Sequence, residues 1–167
     1  MDIAPPVRSP CSEYPKIGTV VELFGVGVLL SGPSGVGKSE LALGLLDRGH
    51  ALVVDDGPEF YIESDHILMA RCPIGFEGLL EVRGIGIVDV VQLYGEWALK
   101  ASTRVALIIE LSAAVNSLSA DGGRINRVPH SVFINTIELP LLELAVSPGR
   151  NLPLWVEVAV KQQLAAL

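Results

Sequence analysis

Short apolar runs, broken by glycine, proline and aspartate, follow one another along the chain and predict a series of β-strands. Thr19–Phe24 and Val26–Leu30 form two such runs around a turn at Gly25. Val105–Leu111 is the longest apolar and β-branched run, which is typical of a central strand buried on both faces. The remaining runs are Ala51–Val54, a hairpin of Phe60–Ile62 with His66–Ala70, Leu79–Arg83 leading into Gly84–Val90, and the strand-like Ile134–Val146 with Pro140 inside it.

Two segments predict helices because they have start and stop signals as well as apolar residues. Ser39–Arg48 is followed by Gly49, the residue type that most often ends a helix. Leu152–Leu164 is preceded by Asn151, which can cap its first turn, and carries Pro153 in that turn. Strands interspersed with helices favour the α/β class.

The turn between the second strand and the first helix carries the most informative motif. Gly32-Pro33-Ser34-Gly35-Val36-Gly37-Lys38-Ser39 fills every fixed position of the phosphate loop G-x-x-x-x-G-K-[ST], in the required strand–loop–helix context. Its backbone N–H groups can surround an anion, and the following helix N-terminus adds a favourable dipole. Lys38 is expected on the β- and γ-phosphates and the Ser39 hydroxyl on Mg²⁺. These eight residues predict a nucleoside triphosphate site.

Composition narrows the class of partner and compartment. The chain has 167 residues, of which 50% are hydrophobic and 19% charged, with a formal net charge of −7. That charge argues against a nucleic-acid binder or a protein attracted to anionic membranes. Two isolated cysteines predict neither a disulfide framework nor a zinc site, and with no apolar run near membrane-spanning length a cytoplasmic location is expected. Residues 1–15, with four prolines, are interpreted as an irregular lead-in to a single domain over 16–167.

Asp55 and Asp56 end the third strand 17 residues after Lys38, where α/β proteins place their ligands. One carboxylate could accept the proton of an attacking hydroxyl, as the catalytic aspartate of kinases does. A metal ligand at the strand end or an Asp-Asp-Gly turn without chemistry explains the spacing equally well. The sequence has no Asn-Lys-x-Asp guanine-reading motif.

A polar segment over residues 116–131 contains Asn, Ser and Gly together with Arg124 and Arg127. It predicts an exposed, mobile loop of a kind suited to closing over phosphates.

Four blocks in order resemble the catalytic domain of the HPr kinase/phosphorylase family, which phosphorylates a serine of the phosphocarrier protein HPr. They are Gly32–Ser39 with Glu40, the block 53–56, the block 80–90 (LEVRGIGIVDV) and the block 148–152 (PGRNL). The similarity extends from about Lys16 to Lys161. It implies the phosphate-loop kinase fold shared with phosphoenolpyruvate carboxykinase, with ATP and Mg²⁺ as cofactors.

The resemblance also implies roles for particular residues. Asp55 takes the place of the catalytic aspartate, which is a base in the kinase direction and an acid when phosphate attacks phosphoserine. Asp56 would lie next to Asp55 without contacting the substrate itself. Ser39 and Glu81 match the residues on the metal side, and hard oxygens of this kind suit Mg²⁺. Glu81 is also consistent with a solvated charge at a strand end.

Two arginines match active-site arginines of the family: Arg127 in the polar loop and Arg150 before the last helix. A planar guanidinium offers several donors to the charge that develops on a phosphoryl group. Both positions are also consistent with solvent-facing surface residues.

The chain departs from the family pattern in length and at single positions. Family members are about twice as long, so the sequence is interpreted as a short, catalytic-domain-only variant. Pro33 and Ile17 stand where aspartate and histidine are common, and the loop around Asp121–Arg127 is about one residue shorter.

Three functions are therefore weighed. The resemblance implies an oligomeric, hexameric kinase of an HPr-type carrier. A phosphate-loop sensor that transfers no phosphate and a small-molecule kinase of similar fold are the alternatives.

Overall fold

The computed structural model describes residues 13–64, 66–113 and 130–166. The strands are β1 (Thr19–Leu23), β2 (Val26–Ser31), β3 (Ala51–Val54), β4 (Glu59–Glu63), β5 (Ile67–Arg71), β6 (Leu79–Val82), β7 (Gly86–Asp89), β8 (Ser102–Ala113), β9 (His130–Ile134) and β10 (Ile137–Val146). The helices are α1 (Lys38–Asp47), α2 (Val90–Tyr94) and α3 (Leu152–Ala165), with a 3-10 turn at Glu96–Ala98.

The main sheet has the strand order β3-β1-β2-β8-β10-β9. Its centre is parallel, because β8 pairs in parallel with both β2 and β10. The two antiparallel pairings of β1 leave β3 running in the same direction as β2, so these two strands end at the same edge. The first part of β8 pairs with β5, which pairs with β4, and β6 with β7 forms a separate hairpin.

Apolar side chains cover both faces of the sheet. On one face α1, α3 and the β6–β7 hairpin pack together, with Leu45, Leu80 and Val156 fully buried among them. On the other face the cluster includes Leu68 and Ile134, which are also fully buried. The α/β fold predicted from the sequence is confirmed, and the hairpin that carries Glu81 is anchored to the face that bears α1.

An ion pair fixes the C-terminal end of α1 to α3. Arg48, which caps α1, donates from Nε to Glu157 Oε1 at 2.5 Å and from Nη2 to Oε2 at 2.9 Å. The His50 ring lies 2.9 Å from Glu157 Oε1. Glu157 is buried, and its hydrogen bonds with Arg48 above all hold the pKa of its carboxyl down at about 2. Because both oxygens are engaged by basic groups, this carboxylate serves packing.

The structure refines two of the sequence predictions. The single run Ile134–Val146 is two strands, separated by a turn in which Asn135 and Thr136 both adopt positive φ. The run that ends at Val90 stops as a strand at Asp89, whose carboxylate caps α2 by accepting from the Val91 and Gln92 amides. Local capping chemistry of this kind ends a strand that the apolar pattern alone would continue.

The segment before β1 is attached to the domain. The Tyr14 amide donates to the Phe133 carbonyl at 2.8 Å, and the buried Tyr14 hydroxyl donates to Glu110 at 2.8 Å and contacts the Ser31 hydroxyl. Glu13 accepts from the Asn135 amide at 2.9 Å. The lead-in predicted for 1–15 therefore makes contact from Glu13 onward, and residues 1–12 lie outside the described part.

Candidate active site

A cavity of about 470 Å³ lies at the sheet edge where β2 and β3 end. Its lining brings together the predicted phosphate loop, both aspartates after β3 and Glu81 from the β6–β7 hairpin. Many of these residues are exposed, so the cavity opens to solvent. The folding of β1 between β2 and β3 is what brings the two sequence-distant motifs to one edge.

The phosphate loop depends on close approach to the neighbouring strand. A Cβ at Gly32 would lie 2.5 Å from the Leu111 carbonyl oxygen of β8, and Gly32 has φ +136°. Only glycine fits such a position without moving the backbone. The loop ends at Gly37, and α1 begins at Lys38 with its N-terminus at the cavity. Such an N-terminus is a favourable site for an anion.

The Lys38 side chain forms hydrogen bonds with the backbone of its own phosphate loop. Its ammonium donates to the Gly32 carbonyl at 2.7 Å and to the Pro33 carbonyl at 3.2 Å. An ammonium has three donors, so these bonds leave one for a further acceptor. Lys38 thereby fixes the entry of the loop and stays available at the cavity.

Asp55 is the most heavily hydrogen-bonded group in the cavity. Its Oδ1 accepts from the Thr19 hydroxyl at 2.9 Å and from the Ser39 hydroxyl at 3.1 Å, and its Oδ2 accepts from the Glu81 amide at 3.0 Å. All three donors are neutral. The sheet positions Thr19, because β1 begins at the edge where β3 ends.

The count of lone pairs distinguishes the two oxygens of Asp55. A carboxylate oxygen offers about two lone-pair sites. Within the described residues both sites of Oδ1 are used, whereas Oδ2 accepts a single bond. Oδ2 is therefore the oxygen able to receive another proton.

Asp56 and Ile17 also line the cavity, in different ways. Asp56 is exposed and adopts φ +53°, a left-handed conformation that aspartate tolerates better than most residues. Ile17 is 62% exposed and presents an apolar group where the resemblance places a histidine. Asp56 can add charge to the site, but Ile17 cannot exchange a proton with a substrate.

Comparisons with known proteins agree with this geometry. The family described as HPr Serine kinase C-terminal domain matches residues 11–167. The chain belongs to that family.

Individual relatives and a solved structure are also similar to this chain. An HPr kinase/phosphorylase from Exiguobacterium sp. is 43% identical over 146 residues, which is 85% of this chain and 45% of the relative. One from Xanthomonas campestris is 39% identical over 145 residues, 86% of this chain and 46% of the relative. The structure of the Hpr(Ser) kinase/phosphatase from Coxiella burnetii superposes with a TM-score of 0.82 at 34% identity, over 90% of each chain. The chain spans about half the length of the curated relatives it matches.

Of the two arginines expected from the HPr kinase pattern, Arg150 lies within the described residues. Arg150 stacks on Trp155, with its guanidinium carbon 4.7 Å from the ring centroid, and donates to the Ala145 carbonyl at 3.4 Å. Arg150 is absent from the cavity lining. Arg127 and the loop predicted around it fall within 114–129, outside the described residues. Both roles remain predictions.

One cavity residue was not singled out from the sequence. Arg83 belongs to the block 80–90 that carries the family resemblance, yet no role was assigned to it. In the structure it lines the cavity next to the phosphate loop, and a Cβ at Gly35 would lie 3.4 Å from its Nη2. Its position two residues after Glu81 was the available signal.

Among the described residues, no helix combines the length and hydrophobicity of a membrane span. Nor do three or more His, Cys, Asp or Glu side chains of that part of the chain converge as ligands of a metal ion.

Proposed function

We propose that this chain is the catalytic domain of an ATP- and Mg²⁺-dependent protein-serine kinase that acts on a small, HPr-type phosphocarrier. The observation that supports this proposal best is the position of Asp55 beside a phosphate loop. Its carboxylate accepts hydrogen bonds from Thr19, Ser39 and the Glu81 amide. A protein that only senses nucleotide has no need of a carboxylate with an unused acceptor site there. Names of the relatives, HPr kinase/phosphorylase, support the choice of acceptor.

In the kinase direction Asp55 acts as the general base. The acceptor serine oxygen attacks the γ-phosphorus, its proton passes to Oδ2 of Asp55, and the bond from the γ-phosphorus to the bridging oxygen of ADP breaks. In the reverse direction inorganic phosphate attacks phosphoserine. Asp55 then returns the proton to the serine oxygen as diphosphate forms. Because the same carboxylate serves both directions, the proposal includes phosphorolysis.

The donor set fits Mg²⁺. This ion is commonly held by one or two carboxylates with substrate phosphates and waters, which agrees with the lack of a three-carboxylate cluster in the described residues. Ser39 gives its proton to Asp55, so its oxygen lone pairs remain available, and the exposed Glu81 carboxylate lines the same cavity. We assign the metal to Ser39 and Glu81; when bound, it would neutralise charge on the phosphates.

The open cavity favours a protein acceptor over a metabolite. A small-molecule kinase encloses its substrate in a concave pocket that excludes water. Here Asp56, Glu81 and Ser34 are all exposed at the cavity. A cytoplasmic location and assembly into a hexamer accompany the proposal as expectations from the family.

The test is phosphorylation of a purified HPr-type carrier with labelled ATP and Mg²⁺, with phosphoserine located by mass spectrometry. The expected product is a single phosphoserine on the carrier, and substitution of that serine by alanine should abolish it. Incubating the serine-phosphorylated carrier with inorganic phosphate and measuring the diphosphate released tests the reverse direction.

Lys38→Ala is the matched enzyme variant. It should remove both carrier labelling and the thermal stabilisation given by Mg-ATP, because the ammonium belongs to the phosphate site, while the protein stays folded. Lys161→Ala, a lysine on α3 away from the cavity, should change neither. If Mg-ATP stabilised Lys38→Ala as well as the wild type, the phosphate-loop assignment would be wrong.

A further inference from the structure

A second cavity, of about 340 Å³, is formed where β3, the end of β5 and the segment after the 3-10 turn meet. Within the described part of the chain it shares no lining residue with the active-site cavity. Cavities of this size, with an apolar interior and a few polar groups, are typical of sites for small molecules. No residue of this lining has a part in the proposed phosphoryl transfer.

The more buried part of the lining is apolar or uncharged. Val53 of β3 is fully buried, and Leu99 and Cys72 are half-buried. Burial raises the pKa of the Cys72 thiol, and the negative charges of Glu77 and Glu59 raise it further. The thiol is therefore neutral at neutral pH, and this part of the cavity suits a hydrocarbon group.

Lys100 contributes a cation to the exposed part of the lining. Its amide donates to the Leu52 carbonyl at 2.9 Å, which fixes the backbone of Lys100 to β3. The ammonium forms no hydrogen bond or ion pair with any described residue. Its three donors are therefore available for a ligand.

Arg71 is the second cation of this lining, and its orientation is fixed. Its Nε donates to Glu59 at 3.0 Å, and its guanidinium carbon lies 4.7 Å from the centroid of the Tyr61 ring. Its two terminal nitrogens make no hydrogen bond with the residues that the structure describes. A guanidinium can bind both oxygens of one carboxylate.

Glu77 is the one carboxylate in this lining, as far as the structure describes it, and its Oε2 accepts from the Gly75 amide at 2.9 Å. The lining thus carries two positive charges and one negative charge. This balance favours a ligand with a single negative charge. A carboxylate has that charge, whereas a phosphate monoester carries about −1.5 to −2 at pH 7.

We propose that the second cavity binds a small carboxylate with an apolar chain. Arg71 and Lys100 bind the carboxylate, and the chain packs against Val53 and Leu99. No step of the proposed kinase reaction enters this inference, so the ligand site and the proposed function can each fail without the other.

Cys72 provides a measurement from inside the cavity. In a Cys11→Ser chain it is the only thiol, and its alkylation by iodoacetamide is followed by mass spectrometry. The probe is isovalerate, a ligand small enough that its Kd is expected on the order of 1 mM. Isovalerate at about ten times its Kd should slow the alkylation about 10-fold, because the bound form is protected. Isovaleramide, the uncharged analogue, should give no protection.

A titration with isovalerate, followed by the amide NMR signals of Cys72, Lys100 and Ala101, measures the Kd. Lys100→Gln should raise that Kd about 10-fold, the scale for losing one hydrogen bond to a charged group. Lys161→Gln, on α3 and outside this cavity, is the matched control and should bind as the wild type does. Both lysines are exposed, so the two variants should keep the Tm of the wild type.

Valine has the carbon skeleton of isovalerate with an added ammonium, and it tests the charge argument. It should bind more weakly, because its net charge is zero. Tighter binding of valine than of isovalerate would overturn the proposal, since recognition would then depend on Glu77 and the ammonium. The proposal would also be overturned if isovalerate neither protected Cys72 nor shifted these signals at about ten times the expected Kd, or if Lys100→Gln bound it as tightly as the wild type.

Discussion

A carboxylate from another element lies against each end of α1, and the two carboxylates have different hydrogen-bond partners. At the C-terminal end Glu157 is buried and bound by Arg48 and His50. At the N-terminal end Asp55 is partly exposed and accepts only from neutral donors, with Ser39 among them. Both are positioned by several hydrogen bonds, so the bonding alone does not tell them apart.

What distinguishes them is the charge of their partners. A carboxylate bound by a guanidinium through both oxygens gives up its capacity to take a proton, since the pair is most stable when ionised. A carboxylate held by hydroxyls and an amide keeps its position and retains an acceptor site. The comparison separates Glu157, which holds two helices together, from Asp55, which has the acceptor site that the proposed function requires.

Replacing either carboxylate by its amide sharpens this contrast, and the largest effect is expected at Asp55. Asp55→Asn should lower phosphoryl transfer by on the order of 10²-fold or more, because an amide cannot accept the serine proton. The affinity for Mg-ATP should be retained, measured by titration calorimetry. The free energy of unfolding should fall by only about 1 kcal/mol, the cost of one hydrogen bond to the Glu81 amide.

Near-normal turnover in Asp55→Asn would show that this carboxylate is structural after all. Loss of ATP affinity together with loss of Mg²⁺ dependence would instead assign it to the metal.

The same change at Glu157 should act on stability. Glu157→Gln removes the charge that binds Arg48, and the free energy of unfolding should fall by about 2 kcal/mol in urea denaturation at neutral pH. Transfer rates of the folded protein should equal those of the wild type. If fully folded Glu157→Gln transferred phosphate more slowly than the wild type, α3 would contribute to the site. The proposed difference between Glu157 and Asp55 would then be wrong.

The loss of stability at acid pH provides a second measurement on the ion pair between Arg48 and Glu157. The folded-state pKa of Glu157 is about 2, below its ordinary value of 4.5, so its contribution is fully present above about pH 4.5 and is lost as the pH falls towards 2. The wild type should therefore lose more stability than Glu157→Gln between these pH values. Equal losses in the two proteins would show that other groups govern the acid response.

A smaller effect is expected from the residue that supports Asp55. Thr19→Val keeps the shape of a fully buried side chain and removes its hydroxyl bond to Asp55. A bond of about 1 kcal/mol corresponds to about a 5-fold lower turnover, with ATP affinity unchanged. Thr103→Val, which removes another buried threonine hydroxyl bonded to Glu22, is the matched control and should leave turnover alone.

The phosphate loop and the strand ends near it could be predicted because their signals are local. Gly32–Ser39 forms a contiguous motif, and Asp55 directly follows a short apolar strand. The structure puts both at one edge of the sheet, together with Glu81, which the family resemblance pointed to.

Other contacts, inside and outside the site, depend on packing between distant segments. Arg83 reaches Gly35 only because the β6–β7 hairpin packs on the face that carries α1. Arg48 and Glu157 are 109 residues apart in the sequence, and each alone is typical of a solvated charge. No periodicity or spacing encodes these contacts, so neither could be derived from the sequence alone.

Tyr14 has a practical consequence for anyone who shortens this chain. Its hydroxyl meets Ser31, the last residue of β2 before the phosphate loop, and its amide is bonded to β9 at the far edge of the sheet. A fragment that starts at β1 would keep Lys38, Ser39 and Asp55 but would lose the contacts that Tyr14 makes with Ser31 and with β9. A shortened chain therefore has to retain Glu13 and Tyr14, two residues that lie before the first predicted strand.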